Sequence, residues 1–68
     1  MTQCERILKY MDDFGSITSL QAMVDLGVGR LASRIHELRK LGIEIESETR
    51  TGKNRYGEQT HYSVYRRV

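Results

Sequence analysis

Cys4, Ile7, Leu8, Met11 and Phe14 recur at the spacing of one helical face. Thr2 and Glu5 stand ahead of them as a capping box, in which hydroxyl and carboxylate each satisfy the other residue's amide. Gly15 follows as a left-handed stop. This pattern predicts a first helix over residues 3–14. Ile17 and Thr18 suit a brief extended segment. Thr18 and Gln21 then repeat the capping-box spacing, and Leu20, Met23, Val24 and Leu26 form the apolar stripe of a second helix over 19–26, closed by Gly27. After Val28-Gly29, a third helix starts near Arg30. Leu31, Ile35, Leu38 and Leu41 form its stripe and Gly42 its end.

Beyond Gly42 the period falls to two. Ile43-Glu44-Ile45-Glu46-Ser47-Glu48 alternates apolar with acidic, as a half-buried strand does. Thr51 to Gly57 reads as a long polar loop with a mobile tip. Thr60 to Tyr65 returns as a strand, with Tyr62 and Val64 expected on the face that meets Ile43 and Ile45. The expected fold is α+β, one domain over residues 1–68, with three helices, a short first strand and a C-terminal β-hairpin. Helices two and three across a four-residue turn have the form of a helix-turn-helix, and the hairpin behind them is a wing.

Ile17-Thr18-Ser19-Leu20-Gln21-Ala22-Met23-Val24-Asp25-Leu26-Gly27 resembles the second helix of small winged helix-turn-helix proteins of phages and prophages. Arg30 to Gly42, RLASRIHELRKLG, is similar to that family's recognition helix. The resemblance spans nearly the whole chain. It implies sequence-specific binding of double-stranded DNA, by a recognition helix over about 30–41 in the major groove and a wing over about 50–58 on the backbone or minor groove. It also implies a phage or prophage transcriptional regulator, or an accessory factor in recombination such as an excisionase, in the cytoplasm of a bacterial host.

Composition supports binding over catalysis. A chain of 68 residues hides only about 60% of its unfolded surface. One cysteine excludes an internal disulfide and fits a reducing compartment. The start lacks an apolar signal core, and no run reaches the length of a membrane span, so neither secretion nor a membrane is expected. The net charge of +2 is unevenly spread. Residues 1–27 hold Arg6 and Lys9 against Glu5, Asp12, Asp13 and Asp25, whereas residues 28–68 hold nine Lys or Arg against five Glu. A basic second part points to a polyanion.

On the third helix, Ser33, Glu37 and Lys40 fall opposite the apolar stripe. Arg30 and Arg34 flank that outer face on one side and His36 on the other. Arg30 and Arg34 suit bidentate contacts to guanine and Glu37 suits cytosine, so Arg30, Ser33, Arg34 and Glu37 are the candidate base readers. Arg39, Lys40, Arg50, Lys53 and Arg55 are candidate phosphate donors. Asn54 and Tyr56 lie among the wing cations, and Tyr56 is the one aromatic residue with a claim on nucleic acid. Glu44, Glu46 and Glu48 share one strand face, which should lie away from DNA and be neutralised by hydroxyls or cations of the last strand.

Cys4, His36 and His61 are too few and too scattered for zinc, and no catalytic constellation has supporting spacing, so no metal, cofactor or small-molecule substrate is expected. A single module of this size covers only roughly 600–1,000 Å² of DNA, so high specificity calls for a homodimer or tandem sites. The rival reading is a winged helix used for protein contacts, as a scaffold or an inhibitor of a host protein. That reading predicts an exposed apolar patch.

Overall fold

A computed structural model describes residues 1–68. The elements run α1 (Gln3–Phe14), β1 (Ile17–Thr18), α2 (Ser19–Leu26), α3 (Leu31–Lys40), β2 (Ile45–Lys53) and β3 (Gln59–Arg67). This is the expected α+β arrangement. Both capping boxes form: the Glu5 amide donates to Thr2 Oγ1 at 3.2 Å and the Gln21 amide to Thr18 Oγ1 at 3.2 Å, with the reciprocal bonds at 3.1 and 2.9 Å. α3 ends in a Schellman turn. Gly42, at φ 90°, donates to Arg39 O, and Ile43 donates to Leu38 O.

Ile7 and Met11 of α1, Ile17, Ala22, Val28, Leu31, Ile35, Leu38 and Ile45 close into one core. Truncating any of the larger ones would cost about 2–5 kcal/mol. Val28, expected only as part of a turn, is 1% exposed: it plugs the gap between α2 and α3. Leu41 departs the other way. It follows the last helical turn and is 76% exposed, past the reach of the core.

α2 overturns the expected stripe. Of its apolar residues, only Ala22 is buried and Leu26 half-buried, while Leu20, Met23 and Val24 are 71%, 57% and 72% exposed. Ala22 and Leu26 lie four apart on one side, so the three larger residues at i, i+3 and i+4 must face outward. Asp25 holds that rotation by accepting the Tyr10 hydroxyl at 2.6 Å.

The sheet is antiparallel with order β1-β3-β2. β1 pairs with β3 through Ile17–Tyr65 and Thr18–Val64 only. β2 pairs with β3 along its whole length, from Ile45–Arg67 to Lys53–Gln59. This register corrects the expected facing. Ile45 lies opposite Arg67, whereas Val64 lies opposite Glu48 and Tyr62 opposite Arg50. Tyr62 and Val64 are therefore on the face away from Ile45, and Tyr65 packs on the core. Val64 is nevertheless 1% exposed, in the central strand beside the Glu48–Arg66 ion pair.

The strands also run further than the alternation suggested, through Thr51-Gly52-Lys53, leaving Asn54–Glu58 as the loop. The tip is tied rather than loose. Asn54 Oδ1 accepts the amides of Tyr56 and Glu58 at 2.9 and 3.0 Å, and Gly57, at φ 78°, donates to Asn54 O. Nine-residue strands of about 3.3 Å per residue supply about 30 Å of the molecule's long axis of 38 Å.

Candidate nucleic-acid interface

α3 buries Leu31, Ile35 and Leu38 and turns Ala32, Ser33, His36 and Lys40 outward. These four, at i, i+1, i+4 and i+8, share one side of the helix. Ser33, His36 and Lys40 make no side-chain bond within the protein, so their donors and acceptors remain available to a ligand. Arg30 stands at the helix start, exposed and without a side-chain capping bond.

Arg34 and Glu37, two of the expected base readers, are engaged by other side chains. Arg34 Nε donates to Gln3 Oε1 at 2.9 Å, and its NH1 reaches both Glu37 oxygens at 2.8 and 3.0 Å. Glu37 also accepts from Cys4 Sγ at 3.8 Å. Burial pushes the Cys4 thiol above its ordinary pKa, and the adjacent Glu37 charge adds to the shift. The four side chains tie the start of α1 to the middle of α3. A guanidinium already committed to three acceptors must break those bonds to read a base. Arg39 is also committed: its Nε and NH2 donate to Ile45 O at 3.2 and 2.8 Å, fastening the end of α3 to the start of β2.

In the wing, Arg50 reaches Glu48 at 3.5 Å, and Asn54 is occupied in closing the turn. Lys53 and Arg55 have no acceptor, and Tyr56 is fully presented at the tip. On the sheet's outer face, Glu48 accepts from Arg66 at 2.7 Å, the neutralisation by a last-strand cation that the acidic strand requires. Arg67 pairs with Asp12 at 3.3 Å.

The basic residues thus divide cleanly. Of eleven Lys and Arg, Lys9, Arg34, Arg50, Arg66 and Arg67 stand in ion pairs, and Arg6 and Arg39 donate to carbonyls. Arg30, Lys40, Lys53 and Arg55 remain. Two bracket α3 and two sit at the far end of the wing. No group of His, Cys, Asp or Glu is arranged to hold a metal ion, and no helix is long and apolar enough to cross a membrane.

A family model described as a winged helix-turn-helix domain matches residues 2–66. The chain belongs to the winged helix-turn-helix family. No curated protein and no solved structure matches it. In a winged helix-turn-helix domain, a DNA-binding fold, α2 and α3 are the helix pair and β2–β3 the wing. His36 flanks the outer face as Arg30 and Arg34 do on its other side, and it is exposed on α3. The bonds of Arg34 to Gln3 and of Cys4 to Glu37 are a tertiary effect, since they depend on where the start of α1 arrives.

Proposed function

We propose that this winged helix-turn-helix chain acts as one domain over residues 1–68 and binds double-stranded DNA, with α3 in the major groove and the β2–β3 wing on the flanking backbone. The observation that carries the reading is the distribution of the unpaired cations: every Lys or Arg without a protein acceptor lies at an end of α3 or in the wing. An unpaired cation releases a counterion from DNA at full effect, whereas a paired one must first give up its partner. Arg30, Ser33 and His36 are the base readers, with the Ala32 methyl available to thymine. Lys40, Arg50, Lys53 and Arg55 contact phosphate, and Tyr56 approaches the backbone from the tip. Arg34, Glu37, Arg39 and Asn54 position these groups.

The activity is binding, and its outcome is occlusion or bending of a site. The resemblance of Ile17–Gly27 and Arg30–Gly42 supports a phage or prophage regulator, or an excisionase-like factor, in a bacterial cytoplasm. Fluorescence anisotropy with a mixed-sequence duplex of about 25 base pairs tests the core claim. Four phosphate contacts give a slope of log affinity against log salt of about −3 to −4. Replacing Lys40, Arg50, Lys53 and Arg55 together by Ala should flatten that slope and abolish measurable binding. Failure of the folded wild-type protein to bind at low salt would overturn the proposal.

A specific observation also favours a second reading, a protein-contact module. Leu20, Met23 and Val24 form the exposed apolar patch that this reading requires. Salt-insensitive association without DNA is its signature.

A further inference from the structure

β3 lies between β1 and β2, so the far edge of β2 is bounded by no strand. Two bonds fix which residues face that edge. The Val68 amide donates to Glu44 O at 3.1 Å and the Asn54 amide to Glu58 O at 3.0 Å, both in line with the β2–β3 register. Even-numbered residues of β2 therefore turn their backbone groups toward β3. Ser47, Thr49 and Thr51, all exposed, turn N–H and C=O alike to the free edge. Ile45 O faces the same edge and is taken by Arg39 at 2.8 Å. An open edge is a template for another strand, and the common devices against pairing are missing. β2 runs nine residues without a proline and holds its register from Ile45 to Lys53 without a bulge.

The order of charges along this edge selects its partner. Glu46, Glu48 and Arg50 project from the outer face of the sheet. When two copies pair β2 antiparallel about a two-fold axis, the residue on the axis sets every opposite pair. Glu48 on the axis sets glutamate against glutamate, and Ser47 there sets Glu46 against Glu48. Arg50 on the axis sets arginine against arginine. Thr49 on the axis sets Glu48 of each copy against Arg50 of the other, so both cross-strand charge pairs are favourable. Ser47 then exchanges backbone bonds with Thr51 of the other copy, and Thr49 with its own counterpart.

Glu48 has room for this contact. Arg66 and Arg50 of its own chain both reach Oε2, Arg50 only at 3.5 Å, and Oε1 accepts nothing within the fold. Glu46 stands in no ion pair and lies diagonal to the same incoming guanidinium.

We propose that the free edge of β2 pairs antiparallel with β2 of a second copy, centred on Thr49, and joins the two sheets into one. The ladder runs from Ser47 to Thr51 and stops where Arg39 holds Ile45 O. So short a seam covers less than the roughly 800 Å² that each partner gives a standard interface. The dimer is therefore weak, with a Kd on the order of 10 µM to 1 mM. Arg50 turned to Glu48 of the other copy is turned from phosphate. On the DNA reading above, which the pairing itself does not need, the dimer is thus the form without DNA.

Sedimentation equilibrium of the full chain without DNA, from about 10 µM to about 1 mM, tests the pairing apart from DNA binding. The weight-average mass should rise from 7.9 kDa toward twice that value. Glu48→Lys and Arg50→Glu each set like charges against one another on both sides of the axis. Either variant alone should associate at least about tenfold more weakly. An equal mixture of the two places opposite charges together again and should recover association. Thr49→Pro removes an edge N–H that no β3 carbonyl uses, so it should keep the circular-dichroism spectrum of the fold and stay monomeric. A wild-type chain that is monomeric at about 1 mM would overturn the proposal. So would association unaltered by Thr49→Pro, or a mixture of the charge variants no more associated than either alone, since the contact would then lie elsewhere or in another register.

Discussion

α2 and α3 are consecutive helices of eight and ten residues, yet they present opposite surfaces. α3 buries three large aliphatics and shows solvent a serine, a histidine and a lysine, with an arginine at its start. α2 buries one alanine and shows solvent a leucine, a methionine and a valine. Mean polarity does not separate a buried face from an exposed one here. The difference lies in how each helix is anchored. α3 crosses the centre of the core, so its stripe must be large. α2 sits at the edge, where Ala22 lets it approach closely and the Tyr10–Asp25 bond sets its rotation. Two consecutive helices of one helix-turn-helix can thus present a polar outer face and an apolar one.

The sharpest test of this contrast exchanges the same chemistry on the two helices. Leu38→Ala should destabilise the fold by about 2–5 kcal/mol, through lost burial and a cavity. Leu20→Ala should change it by no more than about 0.5 kcal/mol. Denaturant unfolding measures both, and a comparable loss at Leu20 would mean that α2 is packed by something within the chain.

A second test separates reading from positioning on α3 itself. His36→Ala should change discrimination at a single base position by about 1–3 kcal/mol and leave thermal stability intact. Arg34→Ala should weaken binding to all duplexes alike and lower the melting temperature, because it releases Gln3 of α1 and Glu37 together. Selection from a randomised duplex pool distinguishes the two patterns. A base-specific change for Arg34→Ala would return that residue to the reading face.

The smallest effect concerns the caps, which hold the helices at their starts. The Thr2 amide, donating to Glu5, holds the Glu5 carboxyl below its ordinary pKa. A carboxyl lowered by folding stabilises the folded state above its unfolded pKa, and that contribution disappears as pH falls through the folded value. Thermal melts between about pH 6 and pH 3 should show a small acid-side loss that Glu5→Gln lacks. Equal pH dependence in the two proteins would remove the cap as its cause.

The three helices were legible to within a residue because their signals are local: two capping boxes, glycines at the ends, and apolar spacing that a single helix must satisfy by itself. The hairpin beyond Ser47 was less so. Thr51-Gly52-Lys53 carries no apolar residue, and a ribbon that projects from the core has no buried face for an alternating pattern to report. The candidate interface is legible as a set of basic residues, and their arrangement is not. Arg34 flanks the outer face and Lys40 lies on it, yet only folding brings Gln3 of α1 beside Arg34 and no acceptor beside Lys40.

The order of elements, the helix ends and the basic character of the second half of the chain follow from the amino-acid sequence alone, since each depends on residues a few positions apart or on simple sums of charge. Tertiary structure alone decided which side of α2 is buried, which face of β3 carries Tyr62, and which four of eleven cations remain unpaired. Beside local pairs such as Lys9–Asp13 and Arg50–Glu48, those outcomes depend on partners 15 to 55 positions away, Tyr10 for Asp25, Gln3 for Arg34 and Asp12 for Arg67, and no local pattern records a neighbour that only folding brings close.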